Sequence, residues 1–222
     1  MADIAAFTWS VVIPVKVLAQ AKSRLGLLGG ERRAELALAM AADTVTAVRE
    51  CPEVARVIVI TDDKVAGAAL AKLGALVIPD EPGAGLNAAL RHGAAHARAN
   101  WPASGVAALS ADLPALRPAD LSAALSAAAA ASAPAAFVAD APGDGTTLYA
   151  ARPGASFAPA FGLASHARHA ASGAAELDVP GIDGLRRDVD TPEDLRTAAA
   201  LGLGPNTAPL AADLLRCAPR GR

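Results

Sequence analysis

The sequence predicts a three-layer α/β fold around a mostly parallel sheet that carries an antiparallel hairpin insertion. Apolar runs such as Val57-Ile58-Val59-Ile60 lack polar alternation, which marks strands buried on both faces. Such runs alternate with helical stretches from Val11 to Ser110 at a spacing that suits right-handed crossovers. After Pro118 the alternation loosens, and two short runs joined by Pro142-Gly143-Asp144-Gly145 read as a hairpin.

Taken in order, Val11-Val12-Ile13-Pro14-Val15-Lys16 is the first strand, and it empties into a loop carrying Lys22, Ser23 and Arg24. Glu31 to Val48 is helical, because Leu36, Met40, Thr44 and Val48 recur on one face. Arg56 to Thr61 is the second strand, and Asp62-Asp63 ends it as the cap of a helix reaching Leu73. Ala75 to Ile78 is a third strand, stopped by Pro79-Asp80-Glu81-Pro82-Gly83. Leu86 to Asn100 is a helix and Val106 to Ser110 a fourth strand. Pro118 starts a helix running to Ala133, its ring suited to the first turn. Ala136–Ala139 and Thr146–Ala150 are the hairpin strands, Gly162 to Ser172 holds a short helix, and Leu185 to Val189 is a late strand. Thr191 caps a helix from Pro192 to Leu201, with Glu193 and Asp194 as acids in its first turn. Residues 1–222 are expected to form a single domain, with an ordered core over about 8–202 and a C-terminal tail, 203–222, that carries a short helix around Ala211 to Cys217.

Composition narrows the function classes. A chain of 222 residues with net charge −2 has no basic face for phosphate backbones, so no nucleic-acid partner is expected. The alanine tract Ala127–Ala131 is far too short to span a bilayer, so no membrane partner is expected either. Cys51 and Cys217 have neither metal nor redox spacing, and Met1-Ala2-Asp3-Ile4 lacks the basic start of a signal peptide. A cytoplasmic location follows as the expectation.

Two groups of residues carry chemistry. Lys16, Lys22 and Arg24 crowd one loop, and clustered cations are tolerated most easily around an anion such as a polyphosphate; the alternative is a solvated basic loop. Ser110-Ala111-Asp112-Leu113-Pro114 sets Asp112 just past a buried strand, at the edge where open parallel sheets bind ligands, unless it only caps the next turn. Asp188 and Asp190 stand two apart, on one side of an extended backbone. Paired carboxylates repel unless a cation sits between them, and hard oxygen donors suit Mg²⁺. The plainer alternative makes Asp190 a helix cap and Asp188 a surface charge.

The order Pro14-x-Lys16, Ala21-Lys22-Ser23-Arg24-Leu25, Gly85-Leu86-Asn87-Ala88-Ala89-Leu90, Ser110-Ala111-Asp112-Leu113-Pro114 and Asp188-Val189-Asp190-Thr191-Pro192-Glu193-Asp194-Leu195 resembles the nucleotidyltransferases related to the molybdenum-cofactor guanylyltransferase. Within them it is most similar to the 2-phospho-L-lactate or phosphoenolpyruvate guanylyltransferase family of deazaflavin coenzyme F(420) biosynthesis. The resemblance implies a Rossmann-like nucleotidyltransferase fold and transfer of GMP from GTP to a small phospho-acid, with pyrophosphate released. It implies that Lys16, Lys22, Ser23 and Arg24 hold the triphosphate and that Gly85 and Asn87 lie near the guanine. Lys22, Arg24 and Asp112 would be catalytic, and Asp112, Asp188 and Asp190 would hold Mg²⁺. Thr147, Gly162 and Ser165 would meet the phospho-acid. Which phospho-acid is used stays open, as does a homodimer. Transfer to molybdopterin or a sugar phosphate, or a non-catalytic nucleotide-binding module, are the alternatives. His92 and His96 share a helix face without a third ligand, and His166 and His169, which follow Ser165, are expected at the surface unless they touch the acid substrate.

Overall fold

The computed structural model describes residues 7–20 and 29–217. Four strands, β1 (Trp9–Pro14), β2 (Val54–Ile60), β3 (Leu76–Ile78) and β4 (Gly105–Leu109), pair in parallel in the order β3-β2-β1-β4. Their crossovers are the helices α1 (Gly30–Arg49), α2 (Lys64–Lys72) and α3 (Leu86–Asn100). As the unbroken apolar runs require, both faces of the sheet are covered. On one face Val45, Val48 and Leu70 join Leu121 and Leu125 of α4 (Pro118–Ala130) over Val11, Ile13, Val57 and Val59. On the other, Leu90, Ala94 and Ala97 of α3 cover Val12, Ile58, Ile60 and Ala108. Contact there is close enough that a Cβ on Gly93 would stand 2.5 Å from the Val12 side chain.

The second half extends the sheet and brings in its antiparallel member. The hairpin partners are β5 (Ala135–Ala139) and β6 (Thr146–Ala151), and the sheet order is β3-β2-β1-β4-β6-β5-β7, where β7 is Ala175–Glu176. Strand β6 thus lies between β4 and β5 and runs against both, whereas β7 is parallel to β5. A register shift falls between Val138 and Ala139: Val138 faces Leu148, but Ala139 faces Thr146, so Thr147 is the extra residue of a bulge.

Asp63 caps α2 by accepting from the Val65 and Ala66 amides, as its sequence position suggests. The late strand expected over Leu185–Val189 does not form. Residues Asp183–Arg186 make a single helical turn, α6, and Leu185 inserts into the core beside Ile182. That turn packs so tightly that a Cβ on Gly184 would lie 2.2 Å from the Ala115 carbonyl oxygen. The short helix expected over Gly162–Ser172 is α5 (Ser165–Ala171), and α7 (Pro192–Leu201) starts at a full capping box between Thr191 and Asp194. The last helix, α8 (Thr207–Cys217), begins earlier than the expected short helix. Buried Asp43 of α1 accepts from the Asn206 and Thr207 amides at 3.0 and 2.8 Å, and so caps α8 from another helix. Among the described residues, no helix is long and apolar enough to cross a membrane.

Candidate active site

Strand directions create the site. Because β6 opposes β4, with Leu109 facing Leu148, the start of β6 lies at the edge where β1 and β4 end. The Ser110 amide donates to the Thr147 carbonyl at 3.0 Å and fastens the two ends together. A cavity of about 640 Å³ opens along this edge, with Ala37 and Ala41 of α1 and Leu86 and Leu90 of α3 among its lining. Strand ends and helix starts leave loops and main-chain groups exposed there, so this is the ligand edge of an open parallel sheet.

One end of the cavity is charged. Exposed Lys16 follows β1, and Asp112, Asp188 and Asp190 share the lining with it. Each acidic segment is anchored by its main chain. Thr44 of α1 hydrogen-bonds the Ala111 carbonyl at 3.1 Å and accepts from the Leu113 amide at 3.2 Å, gripping the loop on both sides of Asp112. The Val189 amide donates to the Asp112 carbonyl at 3.1 Å, which draws Asp188 and Asp190 alongside. One oxygen of Asp194 accepts from the amides of Asp190 and Thr191 and from the Thr191 hydroxyl. The Asp-x-Asp-Thr-Pro run is therefore both a helix cap and a presenter of carboxylates. These are hard oxygen donors, and the lining holds no imidazole or thiolate among the described residues. Among the described residues, no three of His, Cys, Asp and Glu are grouped closely enough to hold an ion. A divalent cation here would need phosphate or water oxygens to complete its shell, which suits a hard ion carried in with a substrate.

The other end is lined mainly by glycines, hydroxyls and apolar side chains: Gly145, Thr146, Phe161, Gly162, Leu163 and Ser165, with Asp140 at its border. Gly162 has φ +106°, a backbone that β-carbon-bearing residues rarely adopt, and the chain turns there to place buried Ser165 at the start of α5. The bulge at Thr147 carries Thr146 onto the face of Tyr149 and Phe137, where its hydroxyl lies 2.9 Å from Nδ1 of His169. His169 is fully buried: its ring stacks on Tyr149 at 4.7 Å, with Phe137 and Phe161 at 5.6 and 5.5 Å. Burial, with the Arg168 and His166 charges adding to it, pushes its pKa down to about 4.

The structure thus gathers Lys16, Asp112, Asp188, Asp190, Gly162 and Ser165 of the residues singled out in the sequence around one cavity. Thr147 is buried and does not line it; its neighbour Thr146 does. Gly85 and Asn87 are also outside the lining, although Leu86 between them is part of it. The Asn87 amide is engaged at both ends with Phe161, donating to its carbonyl at 3.0 Å and accepting from its amide at 2.8 Å. Lys22, Ser23 and Arg24 lie outside the described residues. His169, read as a surface residue in the sequence, is instead the centre of an aromatic cluster, and no spacing signal pointed to it. Thr146 carried a weak signal, its place beside Gly145 at the hairpin's return.

Comparison with known proteins adds an independent line. Residues 9–207 match the family model described as "Guanylyl transferase CofC like". A protein of Thermomonospora curvata named phosphoenolpyruvate guanylyltransferase is 62% identical over 215 residues, covering 97% of this chain and 93% of its own. One of the same name from Streptomyces coelicolor is 59% identical, covering 93% of this chain and 97% of its own. Among solved structures, a nucleotidyl transferase from Methanothermobacter thermautotroptrophicus superposes with TM-score 0.58 at 21% identity, over 87% of this chain and 97% of that one, which speaks for the fold alone.

Proposed function

Since the chain belongs to the CofC-like guanylyl transferase family, we propose that it transfers GMP from GTP to phosphoenolpyruvate in the cytoplasm, as a single nucleotidyltransferase domain serving coenzyme F(420) biosynthesis. The observation that carries this reading is one cavity lined by carboxylates and a lysine together with hydroxyls and glycines. A triphosphate suits the first set, and a small acid bearing phosphate and carboxylate suits the second. A bulky acceptor such as molybdopterin would have to share a cavity of about 640 Å³ with GTP.

In the proposed reaction a phosphate oxygen of phosphoenolpyruvate attacks the α-phosphorus of GTP in line. A new P–O bond forms, and the bond to the β-phosphate oxygen breaks, releasing pyrophosphate. No protein nucleophile is required, so the chain's work is neutralisation and alignment. Lys16, with Lys22, Ser23 and Arg24 of the neighbouring loop, would bind the triphosphate and offset charge on the departing pyrophosphate. Asp112, Asp188 and Asp190 would hold Mg²⁺, which when bound neutralises charge on both reacting phosphates. Leu86 and Leu90 give the nucleotide an apolar wall, with Gly85 and Asn87 at the start of α3 near the guanine. Gly162 allows close main-chain approach to the acid, while Ser165 and the 146–147 segment of β6 offer hydroxyl and amide donors. Of its two threonines, the one that lines the cavity is Thr146.

Incubation of the protein with GTP, Mg²⁺ and either phosphoenolpyruvate or 2-phospho-L-lactate tests the reading. Pyrophosphate release with a guanylylated phosphoenolpyruvate product is expected, with 2-phospho-L-lactate the poorer acceptor. Pyrophosphate release from GTP only with a sugar phosphate or molybdopterin would refute it.

A further inference from the structure

The buried imidazole of His169, bonded to the lining residue Thr146, is a titratable group that the proposed reaction leaves without a task. Its two nitrogens face different partners. The Ala160 amide donates to Nε2 at 2.8 Å, so Nε2 must be the unprotonated, accepting nitrogen. A neutral ring then carries its proton on Nδ1, which lies 2.9 Å from the Thr146 hydroxyl oxygen. Protonation of both nitrogens would set two donors face to face at Nε2. The ring's stack on Tyr149 and its contacts with Phe137 and Phe161 leave no polar surroundings for an imidazolium.

We propose that His169 is a positioning residue: locked as the Nδ1–H tautomer by the Ala160 amide, it donates to Thr146 Oγ1 and so commits the Thr146 hydroxyl to donate its own proton to an oxygen of the anionic acceptor. An unconstrained hydroxyl can either donate or accept; with one lone pair filled by Nδ1–H, its proton is the group left to offer. Among the described residues, His169 is the hydrogen-bond partner of that hydroxyl, and Thr146 lines the cavity beside Gly145, Gly162 and Ser165. The arrangement suits a phosphate or carboxylate oxygen, which only accepts, and disfavours a neutral ligand presenting a donor. The same bond couples the acid end to the loop before α5, because Ala160 adjoins Phe161, whose main chain is held by Asn87.

The assignment rests on the guanylyltransferase reading for its ligand but not for its tautomer, and the test separates the two. Long-range ¹H–¹⁵N NMR on protein labelled at its four histidines reads tautomers directly, with the His169 signals identified by their loss in His169→Asn. An Nδ1–H form is expected; an Nε2–H form overturns the proposal. For kinetics, Asn places an amide N–H where Nδ1 stands and keeps the donor to Thr146. Gln reaches the Nε2 position and keeps only the acceptor for Ala160. His169→Asn should hold the KM for phosphoenolpyruvate within about threefold, and His169→Gln should raise it about tenfold, the size of one impaired hydrogen bond to an anion. Both should leave the KM for GTP within about twofold of wild type. If Gln outperforms Asn, or if both variants raise both KM values alike, His169 only braces the Ala160 loop and the proposal falls. Wild-type protein that converts no phosphoenolpyruvate would instead sink the functional reading, with the tautomer still deciding the role of His169.

Discussion

The two ends of the cavity are built by opposite means. At the charged end, Lys16, Asp112, Asp188 and Asp190 stand at strand ends and a helix cap, and the Thr44 hydroxyl, the Val189 amide and the Asp194 carboxylate bond the main chain of the acidic loops. At the acid end the lining depends on a bulge, a positive-φ glycine and a buried imidazole whose partners come from β6 and the loop before α5. The carboxylates of the first end sit in local sequence patterns, a strand end and an Asp-x-Asp before a capped helix, although Thr44 and Val189 anchor Asp112 from afar. The second exists only in three dimensions. Substitutions at the charged end should therefore strike turnover, and those at the acid end should strike one substrate's binding.

The largest effect is expected from Asp112→Asn and Asp190→Asn. Each removes a charge facing the phosphates while keeping shape, and kcat should fall about a thousandfold. The melting temperature should stay within about 3 °C, because the anchoring bonds of both loops are made by main chain. Near-normal turnover at saturating Mg²⁺ would dissolve the distinction between the two ends. Lys16→Ala should come next, raising the KM for GTP about tenfold with little change for the acid, as loss of one charge-assisted phosphate contact would. An unchanged GTP affinity by calorimetry would return Lys16 to an ordinary exposed lysine.

A sharper division is available within β6. Thr146→Val deletes the hydroxyl bonded to His169 at a residue that lines the cavity and should raise the KM for phosphoenolpyruvate about tenfold, with Thr146→Ser close to wild type. Thr147→Val removes a hydroxyl that is buried without a hydrogen-bond partner among the described residues, so it should be neutral or stabilise by up to about 1 kcal/mol. Kinetics with each substrate varied in turn, alongside denaturant unfolding, distinguish the pair. A Thr147→Val variant that lost phospho-acid binding would show that the bulge does not set the site.

That pair also shows what was legible in the sequence. The parallel half of the sheet could be read because its strands are unbroken apolar runs, and the capping of α2 and α7 because Asp63 and Thr191 act on amides two or three residues away. Asp112, Asp188 and Asp190 were legible for the same reason: a strand end and an Asp-x-Asp before a capped helix are local patterns. Thr147 enters through the family resemblance, and the bulge that buries it while Thr146 lines the cavity is decided by the partner strand rather than by the residues in it. Leu185–Val189 reads as a strand between two apolar ends, whereas Leu185 and Arg186 close the helical turn in which Gly184 seats tightly on Ala115. His169 could not be found from spacing, since what buries it, Tyr149, Phe137 and Phe161, comes from three separate segments.

The smallest effect is on stability, and it isolates the acid end. His169 has its pKa pushed from 6.5 down to about 4 in the folded chain, first by burial and then by the Arg168 and His166 charges. The unfolded chain therefore binds the extra proton at higher pH than the folded chain does. The stabilising contribution is complete above pH 6.5 and is lost as pH falls from there toward 4. Over that window His169 should add a slope approaching one proton, about 1.4 kcal/mol per pH unit, to the decline in unfolding free energy. Asp63, held below the usual carboxylate range by the Ala66 and Leu18 amides, adds its own decline at the acid end of the window, so the wild-type curve alone does not identify the histidine. His169→Phe provides the difference: it keeps an aromatic ring among Tyr149, Phe137 and Phe161 and removes the titration. The variant should be less stable at pH 7, because the Ala160 amide and the Thr146 hydroxyl lose their partner, yet flatter from pH 6.5 to 4. Urea unfolding at half-unit pH steps measures both quantities. Parallel curves for the two proteins would mean that the imidazole is protonated in the fold as readily as out of it, and the acid end would then be no drier than the charged one.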